Sequence, residues 1–259
     1  MSSLVSALAP MLAPVIHLDH DIAVWLNQFA AQDVPLDRMI YNIADSAIFK
    51  GGLFMAFFWW QWFRRDDSAA ERRQRIITAL AGGVIAIAIA RVLQLLLPFR
   101  QRPIHNDTLQ LTLPHGMDGT TLDGWSSFPS DHAVLFFALA AAVWRLNRGL
   151  GVAALLWTSV MICLPRMYLG YHYFTDILVG AVIGILTMQA AFALLRPRLL
   201  AQPLLRWEAA HSTSFYCIAF LASLELAVLF QDVRHLVSDS VQMMKMMQSI
   251  NATTANTTT

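Results

Sequence analysis

Apolar residues along this chain come in long blocks, not in short alternating runs. A helix needs about 20 mostly apolar residues to cross a bilayer, and six windows approach that pattern: roughly 48–63, 76–97, 133–144 with its flanks, 152–169, 177–195 and 215–230. The first and third are short. Upstream, residues 18–31 (LDHDIAVWLNQFAA) set apolar side chains at helical spacing among polar ones and read as an amphipathic helix lying in the interface. The pattern predicts an all-α, polytopic membrane helical bundle of about six transmembrane helices with an interfacial N-terminal helix. Residues 1–45 form the N-terminal interfacial segment in this reading, 46–230 the membrane domain, and 231–259 a polar tail. The tail ends in NATTANTTT from Asn251, the composition of a partly disordered segment.

Composition supports the same solvent. Hydrophobic residues are 57% of the 259 and charged ones 14%, with mean hydropathy +0.51; soluble domains sit near 45–50% and about 25%. The net charge of +1 gives no field to attract nucleic acid, so membrane lipids are the expected surroundings. Cys163 and Cys217 are far apart within apolar stretches and read as packed thiols. The N-terminal run lacks a basic n-region and is interrupted by Pro10 and Pro14, so a cleaved signal peptide is not expected.

Arginines orient the bundle. Arg64, Arg65, Arg72, Arg73 and Arg75 follow the first window, Arg145 and Arg148 the third, and Arg196, Arg198 and Arg206 the fifth. Those alternate segments carry ten of the eighteen Lys and Arg and are expected in the cytoplasm. Both termini and residues 98–129 then lie outside, in an inner (cytoplasmic) membrane. Trp59, Trp60 and Trp62 fit an aromatic belt at the inner interface. Met243, Met244, Met246 and Met247 suggest amphipathic packing, not metal binding.

Three segments concentrate ionisable and turn residues, all on the outer ends of windows: LLLPFRQRP with Arg100 and Arg102, SSFPSDHA with Ser130 and His132, and PRMYLGYHYFTD with Arg166, His172 and Asp176. Arginine at a membrane-helix centre costs about 2.5–3.5 kcal/mol on insertion scales, less at an interface. Three arginines, two histidines and an aspartate on one side invite an anion. His172 and Asp176, four apart, would share a helical face, the carboxylate fixing one imidazole nitrogen and leaving the other as nucleophile. Ser130 reads as an N-cap, and the helix start beyond it favours phosphate. His132 in that first turn can act as general acid. Arg100, Arg102 and Arg166 offer donors to a phosphoryl group. No metal ligand set and no cofactor are needed.

These residues resemble the type 2 phosphatidic acid phosphatase superfamily, whose motifs are K-x6-RP, PSGH and SR-x5-H-x3-D. Here they stand as Arg102-Pro103, as PSDH ending at His132, and as Arg166-x5-His172-x3-Asp176. The motifs lie between Arg100 and Asp176, and the resemblance covers roughly residues 45–195. It implies a membrane phosphatase in which His172 becomes a phosphohistidine with Asp176 as its partner. His132 would be general acid and then base, while Arg102, Ser130 and Arg166 hold the phosphate. PSDH looks like the version in undecaprenyl-diphosphate phosphatases, which makes a polyprenyl diphosphate the expected substrate, handled at the outer face. Three departures stand out. Leu95 occupies the first-motif lysine position, with Arg100, Arg91 or Lys50 as replacements, although Lys50 first reads as an interfacial anchor. Pro165 replaces the third-motif serine. Asp131 replaces glycine and is expected to face away from substrate.

His105 and His115, in the outer loop, read as solvated residues, while the loop itself can cover the site. Two other functions fit the sequence: a lipid phosphotransferase using the same intermediate, and a non-catalytic lipid-binding membrane protein. The sequence fixes no oligomeric state.

Overall fold

The computed structural model describes residues 2–195 and 197–231. Arg196, the four methionines between 243 and 247 and the tail from Asn251 lie outside the described residues. The described residues are helical with connecting loops, and no strand occurs among them. In chain order the helices are α1 (Ser2–Asn27), α2 (Val34–Asp45), α3 (Leu53–Phe63), α4 (Ala69–Leu96), α5 (Asp131–Leu146), α6 (Arg148–Trp157), α7 (Leu164–Tyr168), α8 (Phe174–Leu194), α9 (Pro197–Ala210) and α10 (Ser212–Ala227). Two π-helical turns, Ile48–Gly52 and Thr158–Cys163, lead into α3 and α7.

The windows became helices, but their lengths differ from the expectation. Three rods are long and apolar enough to span a membrane: α4, the α6–α7 rod (Arg148–Tyr168) and α8. α5 and α10 have 16 residues each, about 24 Å at 1.5 Å per residue, against a hydrocarbon core of about 30 Å. The expected six spans are therefore three full-length rods and three shorter apolar ones. Caps set the difference. Ser130 opens α5, and Asn147 both closes α5 and accepts from the Leu150 N–H to open α6. α1 runs unbroken past Pro10 and Pro14 to Asn27, so the amphipathic stretch foreseen at 18–31 is the second half of a longer helix. α9 carries Pro203 and a polar pattern, and it escaped the windows.

α5 is the centre. Ala133–Phe136 and Ala138–Val143 are buried on every side of it, the signature of a helix enclosed by others. It packs on α4, α6 and α8. Gly180 and Gly184 on α8 let the backbones touch: a Cβ on Gly184 would sit 2.1 Å from the Val134 carbonyl oxygen, the small-xxx-small logic of membrane helix pairs. The first turns of α5 and α8 consequently lie side by side, and the Ser130 N–H donates to the Asp176 carbonyl at 3.2 Å. The two π-helical turns also contact one another. One carries Lys50 and the other leads directly into the turn that holds Arg166.

Large apolar side chains such as Leu95, Leu96, Leu156, Leu186 and Leu194 are exposed around the bundle, as expected where lipid is the solvent. The arginine-bearing segments meet at the end opposite the three motifs, where Arg64, Arg72 and Arg75 share a hollow with Asn147. Arg72 there is more than a topology signal. It is buried and clamps its own loop, donating to the Gln61 carbonyl at 2.8 Å and to Asp66 at 2.7 Å. Cys163 is buried and Cys217 is exposed, so only the first is packed as expected.

Candidate active site

Loops are knitted together at the other end. α4 stops at Leu96, just before the residue preceding Pro98, where proline disfavours helix. The chain beyond it is pinned to its neighbours: Ser127 N–H donates to the Arg100 carbonyl at 2.9 Å and Ile104 N–H to the Gly170 carbonyl at 3.0 Å. Gly170 adopts φ +67°, a left-handed conformation suited to glycine, and a Cβ there would lie 3.0 Å from that of Ile104.

These loops and helix ends enclose a cavity of roughly 790 Å³. His132 and His172 both line it, with Lys50, Arg91, Arg102 and Arg166 as cations and Asp45 and Asp131 as carboxylates. Thr121, Leu122 and Trp125 of the loop between α4 and α5 form part of its wall, and Tyr41, Ala44, Leu169, Tyr171 and Gln231 complete it. That loop therefore helps to enclose the site, as expected.

His172 is buried in the loop before α8. Its Nδ1 lies 2.8 Å from the Ser127 carbonyl oxygen, and its Nε2 lies 3.4 Å from Arg102 Nη1. The Asp176 carboxylate is farther, at 3.7 Å from Nδ1, and its Oδ2 accepts the Tyr173 N–H at 2.8 Å. The expected single helical face for His172 and Asp176 is not what forms. α8 begins at Phe174, so the histidine precedes the helix and a backbone carbonyl is its nearest orienting partner. Burial holds the His172 imidazole below its ordinary value, with Asp176 pulling the other way.

Arg102 is buried among carbonyls. It donates to Tyr171 at 2.7 Å and to Trp125 and Ser126 at 3.1 Å each. Burial brings it down to about 10, so it stays charged at neutral pH. Arg166, also buried, reaches the Ala44 carbonyl at 3.3 Å, while its Nε–H has no hydrogen-bond partner among the described residues. A buried unpaired donor of this kind is costly and suits an anion held in the cavity. Lys50 is 5% exposed. Its place in the cavity wall corrects the reading as an interfacial anchor.

His132 opens α5. Its Nδ1 lies 2.8 Å from Asp131 Oδ1, and Asp131 Oδ2 is 2.5 Å from Arg91 Nη2. The expectation that Asp131 faces away is corrected: it lines the cavity, with its charge divided between Arg91 and the imidazole. Ser130 is the N-cap foreseen, accepting from the Ala133 N–H at 3.4 Å. It is fully buried and is not part of the cavity wall.

Arg100 departs furthest from expectation. Its Nη1 donates to Asp176 at 2.5 Å and to Thr175 at 2.9 Å, its Nη2 to Asp19 at 2.6 Å, and it stacks 4.2 Å over the Tyr173 ring. It does not line the cavity. Leu95, at the first-motif lysine position, is 85% exposed and points out of the bundle. Lys50 and Arg91 are the cations that reach the cavity in its place. Asp19 and the Ser127 carbonyl went unseen in the sequence. His115, read as solvated, instead donates through its N–H and lies with Nδ1 at 2.8 Å from Asp37, which ties the loop between α4 and α5 to α2.

Residues 98–199 match the PAP2 superfamily. The match spans 102 of the chain's 259 residues. This PAP2 match holds the second and third motifs, Arg102, both histidines and Asp176, whereas Asp19, Lys50 and Arg91 fall before it. Among curated relatives, the chain is 39% identical over 61 residues to lipid A 1-diphosphate synthase of Escherichia coli K12, covering 23% of this chain and 25% of that one. It is 31% identical over 110 residues to undecaprenyl-diphosphatase BcrC of Bacillus subtilis 168, covering 42% and 50%. The chain thus spans half or less of the length of these curated relatives. A solved PAP2-type phosphatidylglycerolphosphate phosphatase from Bacillus subtilis aligns over 73% of this chain and 91% of its own, with TM-score 0.43 and 15% identity.

Proposed function

We propose that this protein is a metal-independent phosphatase of PAP2 type that hydrolyses a lipid phosphate or diphosphate, with a polyprenyl diphosphate favoured, through a phosphohistidine on His172 at the outer face of the cytoplasmic membrane. The observation that carries the reading is the convergence of both histidines with four cationic side chains on one cavity. The partial likeness to an undecaprenyl-diphosphatase supports the substrate class. The placement of the arginine-bearing segments at the opposite end supports an outer site.

Nε2 of His172 attacks phosphorus as the bond to the leaving oxygen breaks. Asp131 holds Nδ1–H of His132, and the anionic substrate favours the imidazolium, whose Nε2 proton passes to the leaving oxygen. Water then attacks the phosphohistidine, His132 takes the water proton, and the P–N bond breaks to release inorganic phosphate. Arg102, Arg166 and Lys50 hold the phosphoryl oxygens while charge spreads over them. Asp176 stabilises the positive imidazole ring from 3.7 Å. Ser130 acts through the helix it caps, and Arg100 acts through Asp176.

Purified protein is expected to release phosphate from polyprenyl diphosphate in the presence of EDTA and to be inhibited by vanadate. His172→Ala is expected to abolish release. Full turnover in that variant would end the reading. A second reading, transfer of the phosphoryl group to another lipid, is favoured by the match to a protein named for making a diphosphate. Radiolabelled donor mixed with acceptor lipids separates the two, since label found only as free phosphate argues against transfer.

A further inference from the structure

Asp19 lies on α1, outside the matched segment, and no step above uses it. It is completely buried. A buried carboxylate persists only with charged or hydrogen-bonding partners, and all those of Asp19 belong to the frame around His172. Oδ1 accepts the Thr175 N–H at 2.9 Å. Oδ2 accepts the Thr175 hydroxyl at 2.5 Å and Arg100 Nη2–H at 2.6 Å. Arg100 extends its other arm to Asp176 at 2.5 Å. One guanidinium is therefore shared between two buried carboxylates, and the pair leaves a net negative charge behind the imidazole.

We propose that Asp19 is a positioning residue for the phosphoryl-transfer pair of His172 and Asp176: it takes up part of the charge of Arg100 and ties down the first turn of α8 from another helix. The proposal rests on the reading of His172 as nucleophile. Two physical effects follow from its geometry. Thr175 N–H is among the first-turn donors that a helix leaves without an internal partner, and Asp19 satisfies it in trans. Neutralising Asp19 would also turn the full charge of Arg100 onto Asp176, weakening the field that stabilises a positive imidazole. The charged and titratable groups around His172 are Arg102 from the loop after α4, Asp176 from α8, Asp131 and His132 from α5, and, lining the same cavity, Arg166 from α7, Tyr171 from the loop after it, Arg91 from α4, Asp45 from α2 and Lys50 from the π-helical turn before α3. Asp19 acts on the ring only through Arg100 and Asp176.

The test uses the full chain in detergent, with farnesyl diphosphate as probe and phosphate release followed against pH. Asp19→Asn keeps an oxygen for the Thr175 N–H and removes the charge. Its kcat is expected to fall about tenfold or more while KM changes little, since the loss is in the transition state, and its acid limb should move to lower pH. Asp19→Glu should restore part of kcat. Thermal unfolding of each variant reports the folded fraction. Should Asp19→Asn not fold, Thr175→Ala removes one of the three bonds and is expected to lower kcat less, with the same direction of pH shift. Wild-type kcat and pH profile in the folded variant would overturn the proposal, as would a kcat loss that only tracks the folded fraction. Wild-type protein that releases no phosphate, or His172→Ala that still does, would instead overturn the reading of the site and this proposal with it.

Discussion

Arg102 Nη1 lies 3.4 Å from Nε2 of His172, on the opposite side of the ring from the Ser127 carbonyl at 2.8 Å from Nδ1. A carbonyl only accepts and a guanidinium only donates. The two partners therefore assign the proton to Nδ1 and the lone pair to Nε2, on a residue that lines the cavity. This is the tautomer that the proposed attack through Nε2 requires.

That tautomer has a pH signature. His172 must be neutral to attack, and burial holds it below its ordinary 6.5. Activity is then present above the imidazole's own value and lost as pH falls through it, so the acid limb of kcat/KM is expected below 6.5. The measurement is phosphate release over a pH series with enzyme stability monitored in parallel. An acid limb above 6.5 would contradict the burial argument.

Asp176→Asn should be milder than the analogous change in a serine-protease triad. There the aspartate alone fixes the histidine tautomer, and its amide costs about 10⁴-fold in kcat. Here the Ser127 carbonyl fixes it and the carboxylate stands back at 3.7 Å. An amide can also still accept the Tyr173 N–H. The expected loss is about 10- to 100-fold, from the weaker field on the phosphorylated ring. A loss of the triad's size would show that the carbonyl does not suffice.

How far the site was legible follows from which interactions are local. Ser130 as N-cap could be read because capping lies within a few residues, whereas the helical face expected for His172 and Asp176 fails because α8 begins only at Phe174. The reading of Arg100 as a phosphate ligand went astray because only the fold brings Asp19, 81 residues away, to its other arm. Lys50 was misplaced for a related reason. A π-helical turn adds a residue to the helical repeat and shifts the face that a regular helix would present. The windows found the apolar rods of the bundle, but capping residues, which hydropathy does not register, set their true lengths.

Lys50 can be tested as an anion-binding group. It sits buried in the cavity wall, 5% exposed. Bonds from a charged donor contribute about 1.5–3 kcal/mol, so Lys50→Gln is expected to lower kcat/KM about 10- to 100-fold and to weaken vanadate inhibition. Arg91→Gln should do less harm to binding, because Arg91 already holds Asp131 at 2.5 Å. Equal losses in both variants would assign the anion to the whole cavity wall and not to Lys50.

The α5–α8 contact sets the distance between the two histidines, and it can be altered far from either. At Gly184 an added methyl would meet the Val134 carbonyl oxygen at 2.1 Å, and backbone cannot yield as a side-chain tip does. Gly184→Ala is expected to cost about 1–3 kcal/mol or more through overpacking. By pushing α8 off α5 it should also lower kcat. Gly149→Ala is the control: the nearest atom to its Cβ would be 3.5 Å away, so the methyl fits and alanine raises helix propensity. Thermal unfolding in detergent and phosphate release, measured on both variants, should separate them. Equal stability of the two would mean that the helices are not in the tight contact that brings the Ser130 N–H to the Asp176 carbonyl.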